Sequence, residues 1–131
     1  MSDRPTPPPD PRGRLVRSFG CAFRGLGFLV RTQANARIHA GATVLAVVAG
    51  FALRISPGEW CAILAAIGLV WLGEGLNTAI ETLTDLVSPG PHPLAGRAKD
   101  VAAGAVLCAA LAALTIGVVV FLPHLAELVT R

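Results

Sequence analysis

Three apolar runs take up most of this chain, and only a lipid bilayer accommodates all three. Residues 38–53 are a 16-residue uncharged run between Arg37 and Arg54. A second run begins at Trp60, stays uncharged to Gly73 and keeps helical character to about residue 87. The third, 101–122, is 22 residues without a charge, rich in Ala and followed by Pro123. A spanning helix needs ~20 apolar residues, so the third run is long enough as it stands. The first suffices with tilt and with flanking arginines that snorkel to the interface. The second would extend about 42 Å at 1.5 Å per residue, more than the ~30 Å hydrocarbon core, so its last turns must emerge from the bilayer. Composition agrees: 15% of residues are charged, against roughly 25% in soluble domains, and 53% are hydrophobic. The expected fold is an all-α membrane protein of three transmembrane helices.

The N-terminal part has a different character. Residues 1–12 hold five Pro and no apolar period, which predicts a disordered tail and no cleaved signal peptide. Over about 13–32, Leu15, Val16, Phe19, Phe23, Leu26 and Val30 recur at helical spacing among Arg14, Arg17, Arg24 and Arg31. This pattern predicts a basic amphipathic helix lying on the membrane surface, and 13–131 reads as one domain. Residues 1–37 carry seven Arg against two Asp, but no aromatic or Lys-rich pattern of a nucleic-acid binder accompanies them. With Arg97 and Lys99 they place the N-terminus and the 86–100 connection in the cytoplasm and the C-terminus outside. Ser56-Pro57-Gly58-Glu59 predicts a turn that caps the second span, and the proline-rich 88–93 predicts a break after it. Cys21, Cys61 and Cys108 are widely spaced and read as small apolar side chains.

The chemistry gathers where the second span leaves the bilayer. Glu74, Asn77, Glu81 and Asp85 fall within one helical stripe about 80° wide. An ionisable residue at membrane depth costs a few kcal/mol, so Glu74 marks a functional site, and its carboxylate suits taking a proton from a hydroxyl. Carboxylates at the wetter interface, Glu81 and Asp85, suit Mg²⁺, which takes one or two protein ligands plus phosphate oxygens. Lys99, the only Lys, lies beside Asp100 near the start of the third span, where a cation can receive phosphate. His92 stands in the same connection, within reach of a nucleotide, whereas His39 and His124 read as interfacial helix ends. No Walker-type or dinucleotide-binding glycine motif occurs. The outer halves of the spans carry no ionisable side chains, which excludes an ion or proton pathway.

Glu74-x-x-Asn77-x-x-x-Glu81-x-x-x-Asp85, then Gly96-Arg97-Ala98-Lys99-Asp100 and an Ala-rich span, resembles the small bacterial membrane lipid kinases, the diacylglycerol kinase and undecaprenol kinase family. The likeness covers about residues 14–122 and includes Ala34-Asn35-Ala36-Arg37-Ile38-His39. It implies a homotrimer in the bacterial inner membrane, with sites shared between subunits and no obligate protein partner. It implies transfer of the γ-phosphoryl of ATP to a lipid hydroxyl, with Mg²⁺ as cofactor. Glu74 would be the base and Glu81 a metal ligand; Arg14, Gln33, Asp85, His92, Lys99 and Asp100 would attend the nucleotide, and Asn35, Arg37 and Asn77 the lipid. Family members commonly carry a second metal-binding Glu where this chain has Gln33, whose oxygen can ligate Mg²⁺ without adding charge. Gly90 stands where some members have a nucleotide-contacting Glu. The Asn35 to His39 segment resembles the undecaprenol branch and Gly96 to Asp100 the diacylglycerol branch; diacylglycerol is the expected acceptor and undecaprenol the alternative. A catalytically weakened scaffold of the same fold is the other reading, motivated by Gln33.

Overall fold

The computed structural model describes residues 11–130, which form four helices: α1 (Pro11–Thr32), α2 (Ala34–Leu53), α3 (Pro57–Val87) and α4 (Pro93–Val129). The expected tail, apart from Pro11 and Arg12, lies outside the described residues. α2, α3 and α4 are each long and apolar enough to cross a membrane. α1 leaves Leu15, Val16, Phe19 and Phe23 exposed beside its arginines, as a helix lying in the membrane surface should.

Local chemistry explains most of the boundaries. The αL conformation of Arg54 (φ 53°, ψ 46°) ends α2. Ile55 N–H donates to the Gly50 carbonyl at 3.1 Å and Arg54 N–H to that of Phe51 at 3.3 Å. This is the Schellman closure, here with Arg in place of the usual Gly. α3 starts in a capping box: Ser56 Oγ accepts from Glu59 N–H, and the Glu59 carboxylate accepts from Ser56 N–H at 2.7 Å. The predicted turn is therefore a full cap.

α4 differs from expectation at both ends. It starts at Pro93, eight residues before position 101, because proline is tolerated at the first helical position, where its missing N–H would have no partner. His92 caps it, its Nδ1 accepting from Leu94 N–H at 3.2 Å. The break between α3 and α4 is thus only residues 88–92, and Lys99 and Asp100 lie on a helix. At the far end α4 runs through Pro123 instead of stopping there. The proline leaves the Val119 carbonyl without its usual donor, a loss that transmembrane helices tolerate with local adjustment.

α3 and α4 pack along their length, α2 lies more lightly against both, and α1 rests on α2 and α3. Gly73 lets α4 come close: a Cβ there would stand 3.7 Å from the Val106 Cα. At the opposite end Ile55, Ile63 and Val120 form a small core with Trp60, whose ring lies 4.9 Å from that of Phe51. A Cβ on Gly50 would fall 2.7 Å from Trp60 Cη2. Gly50→Ala is therefore expected to cost about 1–3 kcal/mol by overpacking and to lower the melting temperature in detergent. An unchanged melting temperature would show that the indole moves aside freely.

Candidate active site

Two cavities that include charged side chains in their walls lie towards the 88–92 end of the bundle. The first, of about 280 Å³, is built around α3. Glu74 and Asn77 are buried (2% and 8% exposed) and Glu81 is half-buried one turn further on. Asn77 Nδ2 donates to Glu81 Oε1 at 3.1 Å. α2 contributes Asn35 and His39, and α4 closes the wall with Ala103, Val106, Leu107 and Ala110. The stripe read from the sequence therefore does face a cavity, and its helical periodicity is the reason. No Lys or Arg lines this cavity, so two carboxylates share it without a cation.

The unpaired atoms indicate what such a cavity can take. Glu74 Oε2 and Asn77 Oδ1 are buried with no hydrogen-bond partner. Buried acceptors are normally satisfied, so these two oxygens invite a hydroxyl proton or a hard cation. Among the described residues no three His, Cys, Asp or Glu side chains lie close enough to hold a metal by themselves. Mg²⁺ takes one or two carboxylates together with substrate phosphates. The oxygen donors of Glu81 and Asn77 fit it.

The second cavity, of about 620 Å³, is wider and lies against the connection, lined by Asp85, Ser88, Gly90, His92, Gly96 and Lys99 among others. Lys99 Nζ donates to Asp85 Oδ1 at 2.5 Å, bridging α3 and α4. Asp85 thus leaves its stripe-mates for the second cavity. Of the other predicted residues, Arg14, Arg37 and Asp100 are exposed and line neither cavity. Gln33 is half-buried at the N-cap of α2, without a capping hydrogen bond, and also lines neither.

His39 is the residue that sequence reasoning missed. Its signal was available: it follows Asn35 at i+4 on the same face of α2.

The model of the prokaryotic diacylglycerol kinase family matches residues 20–121. The undecaprenol kinase of Bacillus subtilis (strain 168) is 43% identical over 112 residues, which is 86% of this chain and 91% of that protein. The diacylglycerol kinase of Synechocystis sp. is 40% identical over 115 residues, 87% of this chain and 66% of its own. The diacylglycerol kinase of Escherichia coli (strain K12) is 33% identical over 100 residues, 76% of this chain and 82% of its own.

Proposed function

The chain belongs to the prokaryotic diacylglycerol kinase family and is a membrane lipid kinase, and we propose that Glu74 is the base that deprotonates the lipid hydroxyl. The observation that carries this reading is the buried, unpaired Glu74 Oε2 in a cavity without cations. ATP is the co-substrate of a kinase of this family. As the acceptor oxygen bonds to the γ-phosphorus, the bond from that phosphorus to the β-phosphate oxygen breaks, and the hydroxyl proton passes to Glu74. Lys99 and His92 attend the phosphates from the second cavity, and Asp85 holds Lys99 in place until they arrive. Mg²⁺ bound at Glu81 and Asn77 would supply positive charge against the phosphate oxygens.

Arg14, Gln33, Arg37 and Asp100 line neither cavity of a single protomer. In the homotrimer we propose, a neighbouring copy brings them to the nucleotide and the lipid headgroup. Broadly exposed apolar side chains such as Leu45, Leu111 and Val119 supply surface for lipid and for those neighbours. The excess of Arg before α2 favours the inner membrane with the N-terminus cytoplasmic. In such a trimer Gln33→Glu adds charge to the cation site. It is expected to lower the Mg²⁺ concentration for half-maximal activity several-fold. Superimposable Mg²⁺ titrations of the two proteins would remove Gln33 from the metal.

Diacylglycerol is the acceptor expected from sequence, but one placement favours undecaprenol. Asn35 and His39, from the segment that resembles the undecaprenol branch, line the Glu74 cavity, where the hydroxyl must sit. Gly96 and Lys99, from the segment that resembles the diacylglycerol branch, line the phosphate side instead. Purified protein in detergent micelles, given radiolabelled ATP, Mg²⁺ and either lipid, tests this. Higher kcat/KM with undecaprenol is the expected result, higher kcat/KM with diacylglycerol reverses the acceptor, and transfer to neither leaves the weakened scaffold.

A further inference from the structure

The Glu74 cavity has an apolar neighbour towards the middle of the bundle. A second space, of about 250 Å³ and almost wholly apolar, lies between α2, α3 and α4 and shares two lining residues with it, His39 and Ala110. From His39 the apolar groove follows α2 to Ala46, on the order of 10 Å, and follows α4 from Ala110 past Ala113 and Gly117. The two spaces therefore adjoin at His39 and Ala110, which stand at the neck between them. Beyond the neck lies a carboxylate oxygen, Glu74 Oε2, buried and without a partner.

The neck is held in register. Thr43 Oγ1 donates to the His39 carbonyl at 2.8 Å and accepts from Trp71 Nε1 at 3.0 Å. Trp71 stands one turn before Glu74 on α3, so this ladder fixes the His39 turn of α2 beside the Glu74 turn of α3.

We propose, building on the lipid-kinase reading of Glu74, that His39 positions the acceptor hydroxyl and that the groove beyond Ala110 receives the acceptor's hydrocarbon tail. A hydroxyl drawn out of the aqueous interface loses its water partners, and a hydrogen bond left unreplaced there is costly. Glu74 accepts the hydroxyl proton, and a ring N–H of His39 donates to the hydroxyl oxygen, so both halves of the group are satisfied. The adjacency of the groove to the Glu74 cavity, through His39 and Ala110, favours the acceptor tail over a helix of another copy as its occupant. A helix wedged there would not bring a hydroxyl to Glu74. His39 is thus a positioning residue, and Ala110 sets the width of the passage.

Three variants and one probe test the inference. His39→Leu is expected to raise the acceptor KM at least tenfold while the ATP KM stays within twofold. His39→Gln, which keeps an N–H donor, should recover most of that loss. A purely structural role for the ring would not give this split. The probes are a polyprenol and a diacylglycerol carrying a diazirine midway along the tail. Photolysis should attach them to peptides spanning 42–46 and 113–117, and Ala110→Leu should abolish the labelling in protein that elutes from gel filtration as wild type does. If Ala110→Leu does not elute so, Ala110→Val serves, with reduced labelling. Wild-type acceptor KM in His39→Leu, or labelling that is confined to lipid-exposed faces and insensitive to Ala110, would overturn the proposal. Either result leaves the kinase reading standing as long as the wild-type protein transfers phosphate. Failure of the wild-type protein itself would instead count against that reading.

Discussion

Glu74→Gln is expected to abolish lipid phosphorylation while leaving the protein folded. Removing a general base costs on the order of 10²–10⁴-fold in rate, and His39, the other group proposed beside the hydroxyl, is placed there as a donor. Glu81, the other carboxylate in the cavity, is engaged by Asn77. Glutamine keeps the volume of the glutamate, so the tightly enclosed site, 2% exposed, is left without a void. It also removes a carboxylate from membrane depth, where a charge is costly, so the melting temperature in detergent should hold or rise. The loss should fall on kcat, with the KM values for ATP and lipid nearly unchanged, because proton transfer occurs only on the way to the transition state. A Glu74→Gln protein with near-normal turnover would take Glu74 out of the chemistry. One that fails to fold would show that the buried carboxylate has a partner in the assembly.

The legible part of this protein was the part governed by periodicity. Hydropathy alone marked three spans, because a bilayer imposes length and apolarity together, and the stripe of Glu74, Asn77 and Glu81 followed from helical geometry. Helix ends were harder where proline is involved. Pro93 was read as part of a break and turned out to start α4, while Pro123 was read as a stop and lies inside it. A sequence shows that proline lacks an N–H but not whether the surroundings need that N–H. His39 reads as an interfacial helix end for a similar reason: a lone histidine at a helix start gives no sign of what packs against it. Only the approach of α2 to α3, pinned by Thr43 and Trp71, puts it beside Glu74. Asp85 shows the converse. Its angle on the helix suited the stripe, yet the salt bridge to Lys99 turns it to the other cavity, and that partner sits on a different helix. Gln33 and Arg14 line neither cavity of the single chain, and in the proposed trimer their places depend on neighbouring copies, which one chain's pattern does not encode.

Lys99→Met is expected to lower kcat/KM for ATP on the order of 10²-fold, the cost typical of losing one donor to a developing phosphate charge. Lys99 is half-buried, lines the cavity beside His92 and Gly90, and is the chain's only Lys. Its Nζ is held by Asp85 at 2.5 Å. Both side chains are partly exposed, so the pair contributes only ~0–1 kcal/mol to stability, and the variant should fold. The pair matters instead for what replaces it. Arriving phosphates compete with Asp85 for the ammonium, and in Lys99→Met they meet the Asp85 carboxylate with nothing to offset it. The variant therefore loses an attraction and gains a repulsion. Asp85→Asn combined with Lys99→Met removes the repulsion and should recover part of the ATP affinity, although it alters two groups instead of one. The lipid KM should change little in either protein, since the acceptor approaches through the Glu74 cavity. In the proposed orientation one cation of nine on the cytoplasmic side is removed, so that orientation should survive, with the C-terminus still labelled from outside. If correctly oriented Lys99→Met keeps full activity, the phosphates dock elsewhere. If the double variant is no better than Lys99→Met alone, Asp85 does more than hold the lysine and itself takes part in binding the nucleotide.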